Sequence, residues 1–195
     1  MDTGFVDITY EIEFFSNWHC GSGLAAGADV DALVVKDKLG LPYVPGRTLK
    51  GLLREAAGDL YGEKDSTAID EVFGLSGDAP NHQPGLAHFG NATFTKEEMR
   101  IITDKENDLT GHLYQTFAST AIREDGIADD GSLRKIETVV PCKLQGSILN
   151  VPTNRVQMLE DAMMFVKRMG TGRTRGYGRC KITITGKDTG KEASK

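Results

Sequence analysis

Cysteine is scarce and scattered. Cys20, Cys142 and Cys180 are the only three, with no CxxC pair and no histidines at zinc-finger spacing. A disulfide framework and a structural zinc are thereby excluded, and the three read as small buried or half-buried thiols. Long apolar runs are missing too. No stretch approaches the ~20 residues a membrane helix needs, and the opening MDTGFVDITYE lacks the basic-then-apolar pattern of a leader. The expectation is a soluble, cytoplasmic protein with no membrane partner. Aromatic residues are 7% of the chain, and they do not form the RNP pattern of RNA-recognition motifs.

A basic balance is absent as well, since the net charge is −5. By itself that argues against a nucleic-acid binder, but the distribution argues the other way. Lys167, Arg168, Arg173, Arg175, Arg179, Lys181 and Lys187 fall in a stretch from 162 to 187 that holds no acid. A local cationic patch on an acidic body is what a polyanion feels. Without an aromatic sheet face, any RNA contact falls to loops and cations.

What is present is periodicity. In FVDITYEIEFF (5–15) apolar and polar residues alternate, as in a half-buried strand. A Gly/Ala-rich loop follows, with a brief extended piece at 33–35. Leu49, Leu52, Leu53, Ala56, Ala57 and Leu60 recur at helical spacing, predicting a helix over 48–60 with Thr48 as N-cap. A short helix at 66–74, a strand at 86–94 and a capping box at Thr95–Glu98 come next. Residues 103–135 are polar and acidic and read as an excursion, partly a hairpin with arms 120–123 and 133–140. A strand at 142–151, a helix at 154–169 and a strand from 180 to 185 complete the series. Asn154 and Gln157 form the expected capping pair of that last helix, Lys167 and Arg168 complement its C-terminus, and Gly170 is its stop. The fold class is α+β, a ferredoxin-like (RRM-like) βαββαβ core with long insertions.

Two loops carry chemistry. GTGRTRGYG (170–178) offers backbone N–H groups at Gly170, Gly172 and Gly176 beside the charges of Arg173 and Arg175. The helix-then-strand order is the reverse of a dinucleotide fingerprint. A plain Gly-rich turn with solvated arginines is the other reading. GLPYVPGRTLKG is a poor Walker loop, because five residues rather than four separate Gly40 from Gly46 and Arg47 stands where Lys is required. It does mount Arg47, Lys50 and Arg54 at a helix N-terminus, as a phosphate site or as a solvated basic face. Asp29 and Asp31 sit in the loop upstream, where a carboxylate could hold a divalent cation or take a proton, or stand inert. His19 is either an acid/base group or a packed, hydrogen-bonded ring. His82, His88 and His112 have no metal-ligand spacing.

WHCGSG (18–23), PYVPGRTLKGLLREAA (42–57), the FG…GLAHFGNATF segment (73–94) and GTGRTRGYGR (170–179) together resemble the RAMP superfamily of CRISPR-associated proteins. TAIREDGIADDGSLRKIE (120–137) looks like that family's thumb-type hairpin. VDALVVKDKLGLPYVPGRTLKG is similar to the repeated backbone subunit of type III effectors, although PGRTLKG stands where that subunit more often has a serine pair. The resemblance implies one ferredoxin-like domain over 1–187, with insertions at about 16–47 and 95–141, and a disordered tail at 188–195. It implies an antiviral subunit that lines a guide RNA (crRNA) as a filament, with target RNA, copies of itself and other effector subunits as partners. Asp31 is the matching loop aspartate, implied to cleave target RNA with a divalent cation, Mg2+; Asp29 comes too early in the motif. Arg47, Lys50, Arg54, Gly170, Gly172, Arg173, Arg175 and Gly176 are the implied RNA contacts. A non-catalytic RNA-binding subunit, and a guide-processing endoribonuclease using His19, are the other readings it leaves open.

Overall fold

The pleat of the first strand sends Val6, Ile8, Tyr10, Ile12 and Phe14 into the core and leaves Asp7, Thr9, Glu11 and Glu13 on the other face. A computed structural model describes residues 4–23, 30–62, 65–75, 83–124, 126–129 and 131–189; Asp29, His82 and the chain past 189 lie outside the described residues. In chain order the strands and helices are β1 (Phe5–Phe14), α1 (Gly46–Tyr61), α2 (Ser66–Phe73), β2 (His88–Phe89), α3 (Lys96–Ile102), β3 (Tyr114–Ser119), β4 (Arg134–Val139), β5 (Lys143–Pro152), α4 (Val156–Phe165) and β6 (Cys180–Thr189).

β2, β5, β1 and β6 form one antiparallel sheet in that spatial order. With α1 after the first core strand and α4 before the last, this is the expected ferredoxin-like arrangement. Leu49, Leu53, Ala56 and Ala57 of α1 share one core with Leu159, Ala162 and Met163 of α4 and with Ile8, Ile12, Leu144 and Ile148 of the sheet. Each large aliphatic buried there contributes roughly 1.5–3 kcal/mol. β3 and β4 pair separately as a two-stranded sheet, the hairpin expected of the excursion. No described helix is long and apolar enough to cross a membrane. The three cysteines are free, Cys20 and Cys180 buried and Cys142 half-buried.

Five local expectations need correction. Helix α1 begins at Gly46, not Thr48: Pro45 is the N-cap, and the Gly46 N–H donates to Asn91 Oδ1 (2.9 Å), so the cap is tertiary. The strand expected over 86–94 is two residues long, because Gly90 and Asn91 break it; Ala92 and Thr93 then bridge to Val44 and Gln145. The first hairpin arm is 114–119 rather than 120–123. Its register is pinned at Tyr114↔Val139, and the Tyr114 hydroxyl donates to Gly40 O (2.5 Å). α4 ends at Phe165, and residues 166–169 run extended beside the start of β6, with Met169 N donating to Gly178 O and Cys180 N to Lys167 O (both 2.9 Å). Asn154 therefore sits in a 3-10 turn, Gln157 bonds Asp161 instead of capping, and Lys167 and Arg168 lie past the helix. Finally β6 continues to Thr189, into the segment expected to be tail. The Thr95–Glu98 capping box forms as read, opening the two turns of α3.

Candidate functional site

Two glycines let the chain after α4 run against the segment after β1. A Cβ on Gly170 (φ +89°) would stand 2.3 Å from the His19 carbonyl oxygen, and one on Gly178 (φ +67°) 1.8 Å from that of Met169. Both positions have the left-handed backbone that glycine tolerates. Thr171 N donates to His19 O (2.9 Å) and Gly178 N to Asn17 O (2.8 Å), stitching the Gly-rich loop to residues 17–19.

Between this loop and the first turns of α1 lies a cavity of about 390 Å³ lined in part by His19, Arg47, Gly51, Glu55, Gly170 and Arg173. A neighbouring cavity of about 510 Å³ shares Leu52, Glu55 and Arg173 and continues to Lys167 and Arg168. Arg47 and Arg173 are exposed on the two walls, and the first turn of α1 holds no acid. The partial positive charge of the helix N-terminus adds to Arg47 there. Glu55 is the acid in the shared wall.

The tertiary structure divides the stripe read as one cationic face. Arg54 Nη2 meets Asp70 Oδ1 at 2.7 Å, and its Nη1 donates to Gly74 O, fastening α1 to α2. Its guanidinium is an internal tie rather than a free contact. Lys50 is half-buried, lies off the groove and makes no ion pair with a described residue. Gly172 (φ +74°) packs on Tyr177, while Arg175 and Gly176 are exposed at the loop tip. Of the expected contacts, the groove gathers His19, Arg47, Gly170 and Arg173.

His19 is buried, with Nδ1 2.6 Å from the Glu137 carbonyl oxygen. A carbonyl only accepts, so Nδ1 carries a proton and donates it to that oxygen. Cys20 beside it is inert: burial, and then the nearby Cys180, push its thiol up to about 12.

Asp31 is exposed, beside Lys135 near the loop end of the β3–β4 ladder rather than in the groove. Its N–H donates to Lys135 O (2.9 Å), and Lys135 N donates back to Asp31 Oδ2 (2.7 Å). The chain then follows β4. Glu137 N donates to Ala32 O (3.0 Å), Val34 N donates to Glu137 Oε2 (3.0 Å), and Lys36 Nζ meets Glu137 Oε1 at 2.7 Å. Lys36 also lies 3.9 Å from the centre of the Tyr114 ring. Burial, and then the charge of Glu137, hold the Tyr114 hydroxyl well above the usual phenol range, so it stays a donor. No cluster of three or more potential ligands occurs among the described residues. Among the described residues Asp31 thus belongs to no ligand cluster, and its Oδ2 is held by Lys135 N–H while Oδ1 has no described partner, which fits Mg2+ sharing its shell with water and phosphate and does not fit an all-protein cage.

Sequence reasoning gave no role to Glu137, Lys36 or Asn17, whose amide reaches Gln115 (2.9 Å) and Thr138 (3.1 Å). These pairs lie some hundred residues apart in the chain, beyond any local pattern. On the open face of the sheet, Lys143 meets Glu11 at 3.0 Å and Glu13 at 3.7 Å. That centre is polar, and the Tyr10 ring is buried beneath the helices.

The sequence profile described as the RAMP superfamily matches residues 11–181, from within β1 to the start of β6. The chain belongs to the RAMP superfamily. Other structures share this RAMP fold. A chain in the cryo-EM structure of type III-B Cmr-beta bound to cognate target RNA superposes with a TM-score of 0.71, at 13% identity, covering 93% of this chain and 98% of that one. A chain of type III-B Cmr-beta in the apo state gives 0.69 at 14% identity, covering 93% and 97%. No curated protein sequence matches.

Proposed function

We propose that this RAMP protein is a backbone subunit of a type III CRISPR effector, holding guide RNA along repeated copies of itself and cleaving complementary target RNA at Asp31 in antiviral defence. Its partners are guide RNA, target RNA, its own copies and the other effector subunits. Family membership and the shared fold of Cmr-beta chains support the assembly, and the groove between Arg47 and Arg173 supports a phosphate chain. The observation that carries catalysis is the Asp31 carboxylate, exposed, oriented through Oδ2 by Lys135 N–H and without a described partner at Oδ1.

In this reading Asp31 accepts the proton of a ribose 2′-hydroxyl as its oxygen attacks the adjacent phosphorus. The O2′–P bond forms and the P–O5′ bond breaks, leaving a 2′,3′-cyclic phosphate, and the departing oxygen takes a proton from water. Asp31 is also the residue that would hold a divalent cation, Mg2+, which when bound would supply positive charge to the phosphate. Arg47 and Arg173, with the Gly-rich loop, hold the backbone.

The absence of any cluster of three or more potential metal ligands among the described residues favours one other reading, a subunit that binds RNA without cutting. Asp31→Asn in the assembled ribonucleoprotein separates them, because the amide oxygen still accepts from Lys135 N. Loss of target cleavage by about 10²-fold or more, with guide content unchanged, is expected. Undiminished cleavage would leave the non-catalytic reading standing.

A further inference from the structure

We infer that Glu137 is a positioning residue for the cleavage assigned to Asp31, acting by clamping segment 31–36 and His19 to the hairpin strand. The inference rests on that reading of Asp31. Glu137 uses every polar group it has on elements distant in sequence. Its N–H donates to Ala32 O (3.0 Å) and its carbonyl accepts from His19 Nδ1 (2.6 Å). Its carboxylate takes Val34 N–H on one oxygen (3.0 Å) and the Lys36 ammonium on the other (2.7 Å). The side chain is 13% exposed, with both carboxylate oxygens engaged within the protein. It acts through its neighbours or not at all.

Strand geometry makes the clamp matter. Glu137 lies two residues from Lys135, about 7 Å along β4, and the Lys135 backbone grips Asp31 from both sides. The segment leaving Asp31 is therefore fixed near its start by main-chain bonds and farther on by the Glu137 carboxylate. Lys36 extends the clamp to the other arm of the hairpin through the Tyr114 ring. Without the carboxylate, Val34 N–H and Lys36 lose their acceptor, and residues 33–36 can lift and re-aim Asp31. A displacement of about an ångström costs an oriented reaction on the order of 10²-fold. The six-residue β3–β4 register does not depend on this carboxylate, so the hairpin itself should persist.

The test uses the assembled complex carrying guide RNA, with saturating target and single-turnover kinetics. Glu137→Gln keeps an acceptor for Val34 N–H but loses the ion pair, and should slow cleavage about 10-fold; Glu137→Ala should slow it about 10²-fold. Target affinity and guide content should stay within about twofold. Adding Lys36→Met to Glu137→Gln should cost less than the sum of the two single changes, because the two residues share one pair and only the Lys36 contact with the Tyr114 ring is lost besides. Should the Ala variant fail to assemble, the Gln and Met variants carry the test alone. Full rate in these variants, or a rate that falls only in step with guide loading and target affinity, overturns the inference. If instead Asp31→Asn cleaves normally, the underlying reading fails first.

Discussion

Gly170→Ala and Gly176→Ala place the same methyl on nearly the same backbone, at φ +89° and +90°, in different surroundings. Both variants carry the left-handed penalty of about 1–2 kcal/mol. At Gly176 the new Cβ meets nothing within 4 Å, so the penalty ends there. At Gly170 it would lie 2.3 Å from the His19 carbonyl oxygen and 3.0 Å from its carbon. Relief requires the loop to retreat by roughly an ångström, which removes the Thr171 N–H to His19 O bond. Leaving that carbonyl unpaired and straining the packing adds about 3 kcal/mol. For a chain of this size the difference corresponds to a further fall in Tm of about 6–12 °C. Scanning calorimetry of the two variants beside the parent measures it, with urea unfolding as a check. RNA affinity should fall with Gly170→Ala, which moves His19 against Arg173 across the groove, and hold with Gly176→Ala. Equal destabilisation of the two, within about 0.5 kcal/mol, would refute the close approach as the reason for glycine at 170.

Arg54→Ala should cost about 1–2 kcal/mol of stability through the lost tie to Asp70 and Gly74, while leaving the salt dependence of RNA binding nearly unchanged. Arg47→Ala should do the reverse, lowering the slope of log K against log salt by about 1; filter binding across a salt series beside urea unfolding reads both, and a swapped pattern would restore the continuous stripe. The buried thiols set a pH limit. Burial raises Cys20 and Cys180 from 9.0 to about 12, with Lys167 pulling Cys180 slightly back. Above pH 9 the unfolded chain sheds protons that the native state keeps, so their stabilisation is complete below pH 9 and lost between pH 9 and 12. Each thiol can contribute up to about 1.4 kcal/mol per pH unit in that window. Unfolding midpoints at pH 8, 9.5 and 10.5 should fall more steeply for the parent than for a Cys20→Ala, Cys180→Ala variant, and parallel curves would count against the burial argument.

The hairpin is more than an appendage to the sheet. β4 pairs with β3 on one side, while residues 17–19 and then 31–32 follow it on the other, through Trp18↔Val139, the His19 bond to Glu137 and Ala32↔Ile136. Phe117 of β3 meets Tyr177 of the Gly-rich loop edge-on at 5.7 Å. Asp31 and the groove therefore share one support, and a load on the hairpin reaches both.

Much of this was legible in the residues alone. The alternation of β1, the helical spacing of α1 and the Thr95–Glu98 box are local patterns, set by neighbours two to four positions away, and the βαββαβ order follows from stringing such patterns together; all four appear, although α1 starts two residues early and the strand read over 86–94 shrinks to two residues. The motifs at 18–23, 42–57, 73–94 and 170–179 together sufficed for the family. Partnership was another matter. Arg47, Lys50 and Arg54 look equivalent at helical spacing, and only the position of α2 shows that Arg54 faces Asp70. Gly170 reads as a helix stop until the chain is folded back on His19. Glu137 is one more acid in a polar stretch until Val34, Lys36 and His19 converge on it. Local periodicity decides which face of an element is apolar, because burial favours that face wherever the element packs. Which charge meets which, and which glycine touches which carbonyl, depends on contacts between residues as much as a hundred positions apart, and only the tertiary structure decides those.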